Sequence, residues 1–267
     1  MTSKTFSIKN IAGIIPAAGF ANRLSRLPCS KEIYPVAFQP LNDTGKPGPK
    51  VISSFLLERM SLAGAEYAHI IIRKGKWDIP DYYGAGDQVG LPLSFIITDP
   101  TKGASYTIDK AYPFIKGRSI LFGFPDIYFD PADAFVQLLN HQKATGSDVV
   151  LGLFKAHSPH KMDMVELDDD GRVRNLVIKP DKTDLELAWV IAVWNSRFSD
   201  FLHNYLLRLP DSESGYSTYK EVHVGHVFQQ AIENHLHINS VIFHEGRYLD
   251  IGTPDDLRRA ASFINKL

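Results

Sequence analysis

The chain has 267 residues, of which 44% are hydrophobic and 22% charged, and its formal net charge is -1. That length buries a substantial core, and the near-neutral charge gives no basis for nucleic acid or a membrane surface as a bulk partner, so any phosphate site has to be local. Cys29 is the single cysteine and no apolar run approaches membrane-spanning length. With a polar stretch from Met1 to Asn10 in place of a signal peptide, a cytoplasmic protein forming one domain over residues 1–267 is expected.

Ile11 to Ala17 reads as a first strand that opens into the small-residue turn Ala18-Gly19-Phe20-Ala21-Asn22, followed by Arg23-Leu24 and Pro28-Cys29-Ser30-Lys31-Glu32. A strand ending in small residues leaves backbone N–H groups open to a phosphate, and Arg23 and Lys31 would supply the positive charge that a triphosphate needs. The same residues also suit a buried strand and an ordinary turn carrying two solvated cations. Gly45 to Lys50 reads as a loop. Ile52, Phe55, Leu56 and Met60 recur at helical spacing and stop at Gly64, which predicts a helix, with strands following at His69 to Arg73 and Leu93 to Thr98. Ala104 to Ile115 reads as one helix, and Ser119 to Phe124 as a buried strand running straight into Pro125-Asp126. This alternation predicts an α/β fold with a mixed, mostly parallel central sheet and helices on both faces. In open sheets of that kind ligands lie outside the carboxyl ends of the strands, so the Gly19 loop and Asp126 are expected to face one site.

Farther on, a helix is expected from about Pro131 to Thr145 and a strand from Asp148 to Phe154. Short β segments, Met164 to Leu167 and Val173 to Lys179, flank Asp168-Asp169-Asp170-Gly171, which reads as a hairpin turn, and Ala188 to Trp194 adds a strand. Asp211 to Tyr219 reads as a loop. Glu221 to His235 places Val224, Val227, Phe228, Ala231 and Ile232 on one helical face, and His237 to Phe243 returns as a strand. Thr253, Pro254 and Asp256 have the residue types of an N-cap, a first helical position and an acidic first turn, which predicts a last helix but leaves Asp250 unexplained. The pairs His157 with His160, His223 with His226 and His235 with His237 have metal-compatible spacings but no second cluster, and read as helical or surface residues.

Four of these blocks, in this order, resemble the sugar-phosphate nucleotidyltransferases, or nucleoside-diphospho-sugar pyrophosphorylases, the thymidylyl- and uridylyltransferases of glucose 1-phosphate among them. The matching residues are Ala17-Ala18-Gly19 with Arg23-Leu24, Ser30-Lys31 and Pro35-Val36; Phe124-Pro125-Asp126; Lys179-Pro180; and Leu249-Asp250-Ile251-Gly252-Thr253-Pro254-Asp255-Asp256-Leu257. Thr101-Lys102-Gly103-Ala104 occupies the place of a segment near the nucleotide in that family, and equally suits a capped helix start. Ala21 stands where the family has a second glycine, and Ile178 where it has a glutamate. The resemblance implies a Rossmann-like nucleotide-diphospho-sugar transferase fold and a reaction between an NTP and a phosphorylated small molecule, most simply a sugar 1-phosphate, giving an NDP-sugar and pyrophosphate. It also implies Ala17, Ala18, Gly19 and Gly103 at the nucleotide, Arg23 and Lys31 as catalytic cations, Lys179 on the acceptor phosphate, and Mg²⁺ on Asp126 and Asp250. A non-sugar phosphorylated acceptor such as a phosphorylated amino alcohol, which Ile178 permits, and a nucleotide-sugar-binding protein without catalysis are the alternative readings.

Overall fold

In the computed structural model, residues 10–20, 24, 27–40, 45–209 and 221–264 are described. In chain order the elements are β1 (Ile11–Pro16), β2 (Pro35–Pro40), β3 (Pro47–Val51), α1 (Ile52–Leu62), β4 (Tyr67–Arg73), α2 (Asp78–Tyr83), β5 (Leu93–Thr98), α3 (Ala104–Asp109), α4 (Tyr112–Ile115), β6 (Ser119–Gly123) and β7 (Ile127–Asp130). They continue with α5 (Ala134–Thr145), β8 (Val149–Lys155), β9 (Asp163–Leu167), β10 (Val173–Ile178), β11 (Leu187–Trp194), α6 (Ser196–Arg208), α7 (Val224–Glu233), β12 (Ile238–Ile242), β13 (Arg247–Asp250) and α8 (Pro254–Ile264).

A nine-stranded sheet runs β10-β9-β11-β6-β1-β4-β5, with β8 also paired to β11 and β12 paired to β8. The pairs β1–β4, β1–β6, β4–β5 and β8–β12 are parallel, whereas β11 is antiparallel to β6, β8 and β9, and β10 to β9. Only β10 and β11 therefore oppose the common strand direction, and the expected mixed, mostly parallel sheet is present. Its strands β1, β4, β6, β8 and β11 are buried on both faces. Ile11 and Ile15 of β1 face a cluster that holds Leu56, Leu57 and Met60 of α1 and Phe135 and Leu138 of α5. Ala12 and Ile14 face the opposite cluster, with Ile108 of α3, Ile115 of α4, Phe198 and Leu202 of α6, and Val227 and Phe228 of α7. Alternate side chains of one strand thus bury against helices on two sides, each large aliphatic or aromatic side chain contributing about 1.5–3 kcal/mol.

Two sequence expectations are corrected, and one long helix is added. Gly45 to Lys50 is not simply a loop, because β3 pairs antiparallel with β2 in a separate two-stranded ribbon; its prolines are tolerated because a ribbon of two strands is all edge. The single helix expected over Ala104 to Ile115 is broken into α3 and α4: Pro113 has no N–H to give to Asp109 four residues back, and its ring would clash with that carbonyl. The helix α6 was not expected; Phe198, Leu202 and Leu206 recur every four residues on its buried side, and Asn195 caps it by accepting a hydrogen bond from the Phe198 amide at 3.2 Å. Asp211 to Tyr219 lies outside the described residues.

A second small ribbon positions the site. After β6 the chain turns at Phe124-Pro125-Asp126, where the Ile127 amide donates to the Phe124 carbonyl at 3.2 Å, and β7 then pairs antiparallel with β13. Among the described residues no helix is long and apolar enough to cross a membrane.

Candidate active site

The carboxyl ends of β1 and β6, which are parallel neighbours, open into a cleft of about 1210 Å³. Ala18, Gly19, Lys31, Asp126, Gly103, Lys179 and Asp250 all line it. Ala17 lies just inside, buried, with its amide donating to the Ile71 carbonyl of β4 at 2.8 Å. Arg23 and Ala21 lie outside the described residues. A side chain added at Gly19 would meet no protein atom within 4 Å, so packing does not demand glycine there and the space it leaves belongs to the cleft. Gly103 differs. Its φ is +120°, and an added Cβ would stand 2.7 Å from the Val222 carbonyl oxygen, while the Val222 amide donates to the Lys102 carbonyl at 3.1 Å. Gly103 is therefore the residue that lets the chain before α3 lie against the chain before α7.

Lys31 begins a single 3₁₀ turn, Lys31–Ile33. The turn is pinned from α2, where the Asp78 carboxylate accepts from the Ser30 amide at 2.6 Å and from the Ser30 hydroxyl at 2.8 Å. Lys31 Nζ meets Asp126 Oδ2 at 2.5 Å. Burial alone would lower the pKa of this ammonium, but Asp126, with Glu32 and Asp250 adding to it, holds it above the usual lysine value. It is a permanent cation at physiological pH. Next to it Glu32, also on the cleft wall, is paired with Lys76 at 2.6 Å. Burial pushes both groups toward their neutral forms, Glu32 upward and Lys76 downward. Removing one partner of so buried a pair leaves an uncompensated charge and costs about 3–5 kcal/mol.

The two aspartates expected to hold a metal come from different ends of the chain, and the β7–β13 ribbon joins them. Asp250 is the cross-strand partner of Ile127, and the Ile251 amide donates to the Asp126 carbonyl at 3.0 Å. Both side chains line the cleft, and Lys31 feels the charge of both. Among the described residues no group of three or more His, Cys, Asp or Glu side chains is placed to hold a metal by itself. Two adjacent carboxylates without a third donor suit Mg²⁺, which takes one or two protein carboxylates and completes its shell with water and phosphate oxygens.

At the other end of the cleft Lys179 follows β10 with φ +43°, and its Nζ stands 3.5 Å from His223 Nδ1. His223 and His226 form a reciprocal capping box on α7, His226 Nδ1 accepting from the His223 amide at 3.1 Å. Burial, aided by Lys179, lowers the His223 pKa, and burial with His223 and Lys179 pushes His226 down to about 4. These histidines cap a helix and are neutral near pH 7.

The sequence profile of the nucleotidyl transferases matches residues 12–266. The chain belongs to that family. Among curated nucleotidyl transferases it is 22% identical over 255 residues to the low-salt glycan biosynthesis nucleotidyltransferase Agl11 of Haloferax volcanii, covering 94% of this chain and 65% of that one. It is 24% identical over 211 residues to a glucose-1-phosphate thymidylyltransferase of Streptomyces antibioticus, covering 78% and 56%, and 26% identical over 262 residues to the bifunctional protein GlmU of Methanococcus maripaludis, covering 95% and 54%. The chain thus spans between about half and two thirds of the length of these three relatives. Two solved structures share its fold. A putative glucose-1-phosphate thymidylyltransferase from Bacillus anthracis in complex with a sucrose gives a TM-score of 0.80 at 16% identity, covering 96% of each chain. A UDP-glucose pyrophosphorylase complexed with UDP-glucose gives 0.76 at 16% identity, covering 96% of this chain and 99% of that one.

Within this member of the family the structure adds Glu32, Asp163 and Trp189 to the cleft lining, none of which sequence reasoning singled out, and behind the wall it sets Lys76 on Glu32 and the Asp78 clamp on Ser30. None of them carries a local signature. Trp189 reads as an ordinary strand residue and Asp78 falls in no expected element, and only the tertiary contacts reveal their place.

Proposed function

We propose that this chain transfers a nucleotidyl group from an NTP to a sugar 1-phosphate, giving an NDP-sugar and pyrophosphate with Mg²⁺ as the cofactor, and that it does so in the cytoplasm as a single unit over residues 1–267. The observation that carries the reading is the gathering, in one cleft at the carboxyl ends of β1 and β6, of the Gly19 turn, Lys31, the Asp126–Asp250 pair and Lys179. Family membership and the resemblance of four blocks in order point the same way.

In this reaction a phosphate oxygen of the acceptor attacks the α-phosphorus and forms the new P–O bond. The bond from the α-phosphorus to the bridging oxygen breaks, and pyrophosphate leaves with that electron pair. No enzyme nucleophile is needed, so the protein contributes positioning and charge neutralisation. The Gly19 turn offers backbone to the triphosphate without a side chain in the way. Lys31, held on the cleft wall by Asp126 and by the Asp78 clamp behind it, sets a permanent positive charge against the leaving pyrophosphate. Lys179 receives the acceptor phosphate. Asp126 and Asp250 would hold Mg²⁺, whose chemistry there is to neutralise charge on the phosphates of the two reactants.

Ile178 lines the acceptor end with a purely apolar side chain, which favours, as a second reading, a phosphorylated acceptor other than a sugar. Release of pyrophosphate from a panel of NTPs, with Mg²⁺ and either sugar 1-phosphates or phosphorylated amino alcohols, tests both. Release only with sugar 1-phosphates supports the proposal; release only with the amino alcohols supports the second reading. NDP-sugar binding without release under any combination would leave a binding protein.

A further inference from the structure

The Lys31 ammonium occupies the ground that a divalent ion on Asp126 and Asp250 would need. Its Nζ is 2.5 Å from Asp126 Oδ2, and the two side chains are only 18% and 13% exposed, so water and salt screen the pair far less than a surface one. Asp250 adds its field to that of Asp126 on the same ammonium. One monovalent cation thus already answers both carboxylates.

Neither backbone can step aside. The turn that carries Lys31 is held by the Asp78 carboxylate, which accepts from the Ser30 amide and hydroxyl at 2.6 and 2.8 Å, and by the Ile33 amide, which donates to the Ser30 carbonyl at 3.0 Å. Asp126 is held by the Ile127 amide on the Phe124 carbonyl at 3.2 Å and by the Ile251 amide on its own carbonyl at 3.0 Å. What can move is the lysine side chain, a compact charge on a flexible stem.

A divalent ion on the Asp126 carboxylate and an ammonium still bonded to it would be like charges in a shielded cleft, where repulsion is strong. Uptake of the ion therefore requires the ammonium to leave, and the ammonium leaves only for another anion. The Gly19 turn lines the same cleft, and a side chain added there would meet no protein atom within 4 Å. A triphosphate lying along that turn carries more negative charge than one carboxylate and offers the ammonium several charge-assisted hydrogen bonds in exchange for one.

Resting on the reading in which Asp126 and Asp250 hold Mg²⁺, we infer that the Lys31–Asp126 pair is a latch on the metal position. It keeps the free protein from taking up a divalent ion, and the β- and γ-phosphates of an NTP open it by taking over the ammonium. Metal uptake is thereby tied to the presence of the nucleotide.

The test measures Mn²⁺ binding to the full chain without nucleotide, by loss of the free-ion spin-resonance signal. Lys31→Met, which removes the charge and keeps an unbranched side chain, should bind Mn²⁺ about tenfold or more tighter than wild type. Adding Asp126→Asn to it should abolish the gain. Lys179→Met, which removes a cation from the same cleft but not from Asp126, should change the affinity by less than about threefold. Equal affinity in wild type and Lys31→Met overturns the latch, as does a gain that survives Asp126→Asn or that Lys179→Met reproduces. Should Lys31→Met fail to fold, Lys31→Gln, whose amide can still donate to Asp126, carries the same comparison.

Opening is read by magnetic resonance of wild type isotope-labelled at lysine Nζ. The signal that the Lys31 variant lacks should shift, with EDTA present, on addition of an NTP whose α–β bridge cannot be cleaved, and should stay in place with the nucleoside monophosphate or with Mg²⁺ alone. A shift with Mg²⁺ alone, or none with the NTP analogue, overturns the inference. If pyrophosphate release by wild type proves independent of Mg²⁺, the metal reading fails by itself. Mn²⁺ uptake that appears on loss of the Lys31 charge and needs Asp126 then still upholds the latch, and its absence overturns it.

Discussion

Lys31 Nζ and Asp126 Oδ2 lie 2.5 Å apart across 95 residues of sequence, so one of the expected catalytic cations is paired with one of the expected metal ligands. The pair compensates a carboxylate that is only 9% exposed and fixes the direction of the ammonium on the cleft wall. It also couples two functions that the sequence motifs present separately.

Lys31→Ala should therefore lower turnover by about a hundredfold or more, the loss that follows removal of one preorganised charge opposite a developing one. Asp78→Ala should act through the same residue: the Ser30 amide and hydroxyl lose their acceptor, the turn carrying Lys31 loosens, and kcat falls with little change in the KM for the acceptor. Steady-state pyrophosphate release checks both. Arg23→Ala, whose position lies outside the described residues, is expected to match Lys31→Ala if both oppose the leaving group. Activity within a few-fold of wild type in Lys31→Ala would show that the pair serves the fold rather than the reaction.

Two glycines of the cleft separate packing from ligand access. Gly103→Ala forces a side chain to φ +120° and to within 2.7 Å of the Val222 carbonyl, a strain of about 1–3 kcal/mol or more that denaturant unfolding should register. Gly19→Ala meets nothing in the protein and should leave unfolding within about 0.5 kcal/mol of wild type, while raising the KM for NTP. Equal stability losses in the two variants would contradict the assignment of the Gly19 space to the ligand.

The histidines of the α7 capping box predict a pH dependence of stability. His226 is held near 4, by burial first and then by His223 and Lys179, against about 6.5 in the unfolded chain. Between those values the unfolded state binds the proton and the folded state does not, so stability rises with pH across the window and is lost as pH falls from about 6.5 toward 4. His226→Gln keeps an acceptor for the His223 amide without the titration. Melting temperatures at pH 7 and pH 5 should therefore fall farther apart in wild type than in His226→Gln, and identical shifts would remove His226 from the account.

Much of this site was legible because its chemistry is carried by short blocks. Gly19, Lys31 and Asp126 stand in a turn or at a strand end whose local residue types point to it, and the alternation of strands and helices was enough to put the Gly19 turn and Asp126 on one edge of one sheet, whereas Lys179 and Asp250 were named only by the resemblance of their blocks to the family. What sequence could not supply are pairings made by topology. Asp78 reaches Ser30 over 48 residues, and Lys76 reaches Glu32 over 44. The pairing of β7 with β13 is likewise not readable in the sequence, because β7 has only four residues and carries no periodic signal. Pro113 should have divided the helix after Ala104, since its missing amide is a local fact, and the four-residue spacing of Phe198, Leu202 and Leu206 should have announced α6.

The ribbon makes the most discriminating expectation possible, because it gives two aspartates far apart in sequence a shared place. Asp126 precedes β7, Asp250 ends β13, and the Ile251 amide bonds the Asp126 carbonyl. If the two hold one Mg²⁺, Asp126→Asn and Asp250→Asn should each abolish most of the metal-dependent rate. The double variant should then be little worse than the worse single, since residues acting as a unit are strongly non-additive. Independent roles would instead give losses that multiply. Asp126→Asn carries a second consequence that Asp250→Asn does not, because it also removes the partner of Lys31. The two singles should therefore agree in their Mg²⁺ dependence and differ in stability, with Asp126→Asn the less stable. A crystal structure grown with Mg²⁺ and a nucleotide should place an oxygen of each carboxylate about 2.1 Å from one ion. Two ions, or one ion bound by Asp250 with the Lys31–Asp126 pair still closed, would overturn the shared-metal arrangement, and multiplicative losses in the double variant would do so without a crystal.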